Sequence, residues 1–369
     1  MDELRRAGLQ VAQRYDVLPY ETPDDPNLHP RALLGFGGVF GCVGAGGDVL
    51  DLGCGTGVQL AAAGGEMPGR LLGVDLSEGN CTAARARLAP YGERAHIQCA
   101  DLLDLTPQGL GQFDLIYAVG VIFALPEPVR HHALDLIGAC LKPGGVALIT
   151  HYGGAMSALR ASLHRTLRAA LAPDLPPPEA VTQARAWLAQ TAQRLEPTHP
   201  MHEAARLTAS LPDATFFHEV FNPWNAPLPV AELDRRLAAA DVRFLGHVEA
   251  PASGFGPDPA RRAQDADTAD LGGGGYHHAL FGRHTHASDL TAPGIVWSTV
   301  LQPMAGEQFR VSGGGRPIQI GHAPTRRTLE RIAHAPQPIL QAAPEEERSV
   351  TLRVLRDLWA HRLVMPLRA

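Results

Sequence analysis

Three aspartates follow apolar segments in the first third of the chain, and their carboxylates could bind polar groups of a ligand. Asp51 lies at the end of an apolar run, and Asp75 and Asp101 end the next two runs. Asp75 lies roughly 20 residues beyond a glycine-rich turn, which is where a carboxylate can accept hydrogen bonds from both hydroxyls of a ribose. The acids therefore predict a site for a nucleoside-like ligand.

A glycine-rich turn separates the apolar run 49–52 from the helix-compatible run 58–63. Its glycines, Gly53, Gly55 and Gly57, allow positive φ angles and a close approach of the backbone to a ligand. Val58 stands where a dinucleotide fingerprint needs its third glycine, and no lysine of a triphosphate-binding loop lies near the turn. The spacing thus disfavours both NAD or FAD and nucleoside triphosphates.

Apolar runs alternate with helical stretches through the first half of the chain, which predicts an α/β fold with a parallel sheet. Further strands are predicted at 113–119 and 146–150. Ligands bind such sheets beyond the carboxyl ends of the strands, where the three acids would lie. The pattern therefore places the turn and the acids at one edge of the sheet.

The segment Asp51-Leu-Gly-Cys-Gly-Thr-Gly57 resembles the first motif of class I S-adenosylmethionine-dependent methyltransferases. The resemblance implies S-adenosyl-L-methionine as cofactor and S-adenosyl-L-homocysteine as product. It also implies that Asp101 accepts the adenine amino group and that Leu102 packs beside the ring. The cofactor-binding residues expected from the motifs are Tyr15, Asp51, Gly53, Cys54, Gly55, Gly57, Asp75, Leu76, Ser77, Asp101, Leu102, Ala118 and Val119.

A second resemblance begins with Tyr15-Asp-Val-Leu-Pro-Tyr20 and continues with His29-Pro30. These residues are similar to the opening of bacterial methyltransferases with a methyltransferase regulatory domain, which include the rickettsial lysine methyltransferases of outer-membrane proteins. The resemblance covers roughly residues 11–285 and implies an N-terminal arm folded over the cofactor. The chemistry of the residues alone also fits a surface arm whose aromatic side chains pack on the domain. Segments 121–126 and 151–155 depart from the family pattern, so the acceptor is expected to differ.

The chain is expected to form a Rossmann-like core with a seven-stranded, mostly parallel sheet. A helix is predicted at 230–240, the last strands at 242–248 and 276–283, and a loop at 251–275. The predicted regions are an N-terminal arm (1–46), the core (47–155 plus 226–287), a helical insertion covering the acceptor (156–225), and a C-terminal α+β regulatory or interaction domain (288–369).

Methyl transfer from a sulfonium is an in-line displacement that needs an aligned, uncharged nucleophile. The residues predicted to be catalytic are His151, Tyr152 and Tyr20, with His29, His218 and Glu219 as further candidates on the acceptor side. Alternatively, His151 caps a strand and Tyr152 packs beneath the insertion. No metal is expected, because the adjacent residues His277 and His278 would point to opposite faces of a strand.

Composition narrows the class of function. The net charge of −6 argues against binding of duplex nucleic acid, and no apolar run is long enough to cross a membrane. The first residues lack an apolar signal region, so a cytoplasmic protein is expected. The predicted activity is N-methylation of a protein or peptide side chain. The alternatives are methylation of a small biosynthetic metabolite and non-catalytic cofactor binding as a scaffold; the C-terminal region could form a homodimer surface.

Overall fold

The computed structural model describes residues 2–19, 25, 28–42, 46–172, 175–248, 258–270, 275–283, 285, 295–299, 301–304, 308–311, 318–360 and 364–368. Tyr20, one of the predicted catalytic residues, lies outside the described residues.

A seven-stranded sheet forms the centre of the molecule. Its strands are β1 (Val49–Leu52), β2 (Leu71–Asp75), β3 (Ala95–Cys99), β4 (Phe113–Ala118), β5 (Leu141–Tyr152), β6 (Val242–His247) and β7 (Tyr276–Arg283). Their order is β3-β2-β1-β4-β5-β7-β6, and only β7 runs antiparallel to its neighbours. The predicted mostly parallel, seven-stranded sheet is confirmed.

Helices cover both faces of this sheet and extend beyond it. Their bounds are α1 (Asp2–Val17), α2 (Pro30–Val39), α3 (Val58–Glu66), α4 (Glu78–Leu88), α5 (Pro107–Leu110), α6 (Glu127–Cys140), α7 (Gly154–Ala170), α8 (Pro177–Gln193), α9 (Pro200–Ala209), α10 (Asp213–Phe221), α11 (Val230–Leu237) and α12 (Pro259–Ala269). Ser77 caps α4, with its Oγ accepting a hydrogen bond of 3.0 Å from Asn80 N.

The central strands are buried on both faces because a parallel sheet is covered by helices on each side. Alternate residues of β4 show this division. Leu115 and Tyr117 belong to the apolar cluster on one face, whereas Ile116 and Ala118 belong to the cluster on the other. The position of a residue along its strand therefore determines which face of the sheet its side chain occupies.

The predicted loop at 251–275 is wrong over residues 259–269, which form α12. Pro259 stands in the first turn of the helix, and the Asp258 side chain accepts a 3.0 Å hydrogen bond from Ala260 N. Arg262 is buried and its guanidinium donates to Phe244 O of β6 at 2.7 Å. Because this anchor joins residues 18 positions apart, periodicity within the segment gave little sign of it.

Helices α7 to α10 lie between β5 and α11, where the sequence predicted a helical insertion, and they share an apolar cluster of their own. The bounds of the four predicted regions remain predictions. None of the helices in the described part of the chain is long and apolar enough to span a membrane.

The last part of the chain forms two three-stranded sheets and further helices. Their elements are β8 (Ile295–Thr299), β9 (Leu301–Pro303), β10 (Gln308–Val311), β11 (Ile318–Gln319), α13 (Ala323–His334), β12 (Gln337–Pro338), α14 (Ile339–Ala342), α15 (Arg348–Ala360) and β13 (Val364–Arg368). The sheet orders are β11-β10-β9 and β12-β8-β13, and β13 packs beside α2. The smaller C-terminal α+β region is therefore present.

Candidate cofactor and acceptor site

A large cavity opens beyond the carboxyl ends of β1, β2 and β4, between the sheet and α1. It encloses about 1310 Å³ of empty space, a figure that includes the part open to solvent. The chain order reverses between β1 and β4, the point of an open α/β sheet where ligands bind. The cavity therefore lies where a sheet of this kind binds its ligand.

Ten of the predicted cofactor-binding residues line this cavity. They are Tyr15, Gly53, Cys54, Gly55, Asp75, Leu76, Ser77, Asp101, Leu102 and Val119. The other three lie behind the wall: Asp51 and Ala118 are buried strand residues, and Gly57 precedes α3. The roles of these residues remain predictions, but ten of them share one cavity.

The glycine turn brings bare backbone to the cavity. Gly53 has φ +73°, and a Cβ at this position would overlap the side chain of Val121 from the turn after β4. Gly55 has φ +52° and lines the cavity, with nothing within 4 Å of where its Cβ would be. A ligand can therefore approach the backbone at Gly55 where any other residue would intrude.

Asp75 is held rigidly at the end of β2. Its carboxylate accepts hydrogen bonds from Gly55 N and Ser77 N, both at 2.9 Å, and from Asn80 Nδ2 at 3.2 Å. Burial raises its pKa above the ordinary value, and the three donors act in the opposite direction. Two carboxylate oxygens offer about four acceptor positions, so the group can still accept from a ribose.

Asp51 carries a buried carboxylate behind the glycine turn. Its side chain is 1% exposed, and its Oδ2 atom has no hydrogen-bond partner among the described residues. Burial and the neighbouring Asp75 raise its pKa to about 8. A buried, unpaired carboxyl oxygen fits a cationic ligand nearby, and S-adenosylmethionine carries both an ammonium and a sulfonium group. The residues present therefore fit this cofactor.

Helix α1 covers the cavity with one face and is called the lid helix below. The residues of that face recur at helical spacing and are Leu4, Gly8, Val11, Ala12 and Tyr15. Near its end, Asp16 Oδ1 accepts hydrogen bonds from Ser77 Oγ at 2.5 Å and Gly79 N at 3.1 Å. The lid helix is thereby fixed to the first turn of α4, close to Asp75.

Helix α10 holds the lid helix from the other side. The ring of His218 stacks on that of Tyr15, with centroids 3.8 Å apart, and His218 Nε2 donates to Leu18 O at 2.8 Å. Arg14 Nη1 donates to Phe221 O at 2.9 Å. His218, an acceptor-side candidate, therefore contacts the cavity wall through Tyr15.

Tyr152 lies outside the cavity lining. Its hydroxyl donates a 2.5 Å hydrogen bond to Glu219 Oε1, and Phe123 packs against its ring. Burial raises the pKa of Glu219 as well as that of Tyr152. Tyr152 packs beneath the insertion, the alternative expected from the sequence, and its catalytic role remains a prediction.

His151 also lies away from the cavity. Its Nδ1 lies 2.8 Å from Leu228 O and its Nε2 lies 2.9 Å from His247 Nε2. A carbonyl can only accept, so Nδ1 carries the proton; in the neutral ring Nε2 then accepts from His247. Burial lowers the pKa of His151 to about 3, with a smaller contribution from His277. This uncharged, fully bonded imidazole packs across β7, between the ends of β5 and β6.

The remaining acceptor-side candidate, His29, is 3.4 Å from Glu66 and does not line the cavity. In the described part of the chain, no group of three or more histidine, cysteine, aspartate or glutamate residues could hold a metal ion.

A second set of lining residues lies beside β4 and β5, and we refer to it as the acceptor end. Its members are Gly120, Val121, Ala124, Asn222 and Trp224. Asp75 ends β2, two strands away from β4, which corresponds to roughly 10 Å. Val121 and Ala124 belong to segment 121–126, from which a different acceptor was expected, but Asn222 and Trp224 were not predicted individually because the contacts between 124 and 222 are distant along the chain.

Comparisons with known proteins agree with this geometry. Residues 49–145 match the family described as a methyltransferase domain. The uncharacterized protein RP028 of Rickettsia prowazekii is 30% identical over 146 residues, which are 37% of this chain and 56% of that protein. A ubiquinone biosynthesis O-methyltransferase of Thiobacillus denitrificans is 32% identical over 104 residues, 27% of this chain and 42% of that enzyme. The chain thus matches about half of the length of these curated relatives.

The structure of PKMT2 from Rickettsia typhi resembles the whole chain. Its TM-score is 0.74 at 16% identity, with 94% of this chain and 77% of that chain covered. The same protein in complex with S-adenosylhomocysteine gives a TM-score of 0.73 at 17% identity, with 95% and 78% covered. At these identities the likeness concerns the fold. The predicted enzyme class and cofactor are confirmed at the level of the matched domain: residues 49–145 form a methyltransferase domain, and the chain has the Rossmann-like fold of class I S-adenosylmethionine-dependent methyltransferases.

Proposed function

We propose that the protein transfers the methyl group of S-adenosylmethionine to an amine nitrogen on a side chain of a protein or peptide. The observation that carries the proposal is the division of the cavity. Asp75 and Asp101 line it beside β2 and β3, whereas the acceptor end beside β4 is apolar, aromatic and amide-bearing. Cofactor and nucleophile can thus occupy one cavity side by side.

The cofactor supplies an electrophilic methyl group, and the residues of this chain hold the cofactor in place. Asp75 would accept from the ribose, Asp101 from the adenine amino group, and the backbone at Gly55 would lie against the cofactor. Alignment of two reactants in this way can contribute on the order of 7–11 kcal/mol to a displacement. No residue needs to form a covalent bond.

The lining favours nitrogen over oxygen as the acceptor atom. Among the lining residues that the structure describes there is no histidine, lysine, arginine or glutamate, and the two aspartates, Asp75 and Asp101, lie at the cofactor end beside β2 and β3. A hydroxyl acceptor needs a base to remove its proton, whereas an amine is a nucleophile as soon as it is neutral. An apolar surrounding and the cofactor's positive charge both lower the pKa of an entering amine. The acceptor end can therefore make an amine reactive without a catalytic base.

The resemblance of residues 15–20 and 29–30 to lysine methyltransferases of rickettsial outer-membrane proteins supports a protein or peptide acceptor. A small metabolite is the second candidate, because the lid helix and residues 222–224 cover the cavity. The names of two relatives, the ubiquinone biosynthesis O-methyltransferase and the O-methyltransferase cnsE of Penicillium expansum, favour it too. Non-catalytic cofactor binding, a homodimer and a cytoplasmic location remain predictions.

The test uses methyl-labelled S-adenosylmethionine with two synthetic peptides that differ at one position, lysine in one and tyrosine in the other. An extract of small metabolites serves as a third acceptor. We expect label in the lysine peptide at least tenfold faster than in the tyrosine peptide. Preferential labelling of tyrosine would contradict nitrogen as the acceptor atom, label in metabolites alone would favour the second candidate, and no label in any acceptor would contradict the enzymatic function.

A further inference from the structure

One buried amide joins the two walls of the acceptor end. The Asn222 side chain is 6% exposed and follows α10. Its Nδ2 donates to Ala124 O at 3.0 Å, and its Oδ1 accepts from Trp224 N at 2.9 Å. Ala124 belongs to the turn after β4, and Trp224 to the segment that follows α10. The side chain therefore fixes how far Trp224 stands from that turn.

The end of α10 is itself held from two directions. Arg168 of α7 donates to Val220 O at 2.5 Å and to Asn222 O at 3.3 Å. Arg14 of the lid helix donates to Phe221 O. Positive guanidinium groups on the last carbonyls of a helix satisfy acceptors that have no partner within the helix and stabilise its dipole. The backbone that carries the Asn222 side chain is therefore held in place by two arginines.

We propose that Asn222 is a positioning residue that holds Trp224 as the specificity-determining wall of the acceptor end, and that this wall selects acceptors presenting an alkyl amine. The inference rests on the proposed function and goes further by naming the residues that choose the acceptor. The face of an indole attracts an ammonium group. Val121 and Ala124 offer apolar surface to an alkyl stem. Trp224 would receive the amine as a cation, and the amine would lose its proton to solvent before it reaches the methyl group.

The experiment compares four variants of the full chain: Asn222→Ala, Trp224→Ala, Trp224→Phe and Asn225→Ala. Asn225 is the matched control. It donates to Glu219 O at 2.9 Å and lines a separate small cavity rather than the cofactor cavity. Each variant is measured for S-adenosylhomocysteine affinity by calorimetry, for the kcat and KM of the lysine peptide, and for thermal stability.

We expect Asn222→Ala and Trp224→Ala to raise the KM of the lysine peptide at least about tenfold, because the first loses the two hydrogen bonds that hold Trp224 and the second loses the cation–π contact. Their affinity for S-adenosylhomocysteine should stay within about threefold of the native value. Trp224→Phe should retain most of the peptide affinity because it keeps an aromatic face. A KM for all three variants that equals that of Asn225→Ala would overturn the proposal.

A second measurement tests the position of Trp224 and does not require methyl transfer. The four tryptophans are replaced by 5-fluorotryptophan, and Trp224→Phe assigns the fluorine resonance. S-adenosylhomocysteine should shift this resonance in the native protein and in Asn225→Ala, whereas Asn222→Ala should broaden it. A sharp resonance that does not respond to the ligand would contradict the inference even if methyl transfer occurs. If the native protein methylates no acceptor but the resonance behaves as expected, the proposed function fails and the placement of Trp224 stands.

Discussion

The ring of Tyr15 stacks on the ring of His218, with centroids 3.8 Å apart and planes 9° from parallel. Tyr15 lines the cavity from the lid helix, and His218 belongs to α10 of the insertion. The next residue, Glu219, accepts from Tyr152 at the end of β5. Two consecutive residues of α10 thus connect the lid helix to the carboxyl end of β5.

Loss of the His218 ring should loosen the lid helix. In His218→Ala, Tyr15 loses its stacking partner and Leu18 O loses its donor, so we expect S-adenosylhomocysteine affinity to fall about three- to tenfold. His218→Phe keeps a stacking ring, so its affinity for S-adenosylhomocysteine should lie between that of His218→Ala and that of the native protein. Calorimetry measures all three, and identical affinities would show that the stack has no part in holding the cofactor.

Tyr152 should act through stability rather than through catalysis. In Tyr152→Phe the buried Glu219 loses its hydrogen-bond donor, which should lower the free energy of unfolding by about 1–3 kcal/mol. The kcat should stay within about threefold, because the hydroxyl lies outside the cavity lining. Adding Glu219→Gln should recover part of the stability. A hundredfold loss of kcat at native stability would instead restore the catalytic role predicted from the sequence.

The buried histidines should make the protein less stable in mild acid. Burial, assisted by Arg160 and Arg168, lowers the pKa of His164 to about 3, against 6.5 when the chain is unfolded. Below about pH 6.5 the unfolded chain therefore binds a proton that the folded protein does not, and stability falls as pH falls towards 3.

The variant His164→Gln can still bond Thr208 but does not titrate. Its unfolding free energy should depend less steeply on pH between 6.5 and 4, by up to about 1.4 kcal/mol per pH unit. Chemical denaturation at several pH values measures the difference, and equal slopes in both proteins would contradict the assignment.

Cofactor binding should release a proton from Asp51. With a pKa of about 8 this carboxyl is largely protonated at pH 7, and the positive charge of the cofactor favours its ionised form. Calorimetry with S-adenosylmethionine in buffers of different ionisation enthalpy should detect close to one released proton. In Asp51→Asn the release should vanish. Native binding heats that do not depend on the buffer would exclude the coupling.

The sequence was sufficient to predict a set of cofactor-binding residues of which ten line one cavity, because its signals are local. Each of Asp51, Asp75 and Asp101 ends an apolar run, and a parallel sheet brings such ends to one edge. It was not sufficient for the acceptor half. Asn222 reaches Ala124 across 98 positions of the chain, and no pattern within either segment records that contact.

Side-chain direction limited the catalytic predictions. His151 and Tyr152 were correctly expected near the end of β5, but strand geometry and the neighbours His247 and Glu219 turn both side chains away from the cavity. The lid helix had a readable signal that was missed. Residues 4, 8, 11, 12 and 15 recur at helical spacing, which indicates one face of a helix rather than an irregular arm.

The central claim is that the cavity beneath the lid helix binds the cofactor through the acids at the ends of β2 and β3. Calorimetric titration of S-adenosylhomocysteine into the native protein and Asp75→Ala tests it most directly, with Asp135→Ala, an exposed partner of Arg236, as the control. We expect native binding, an unchanged control, and at least about hundredfold weaker binding by Asp75→Ala, because two or more hydrogen bonds to a charged group are lost. Absence of native binding, or equal affinity of Asp75→Ala and the native protein, would contradict the account.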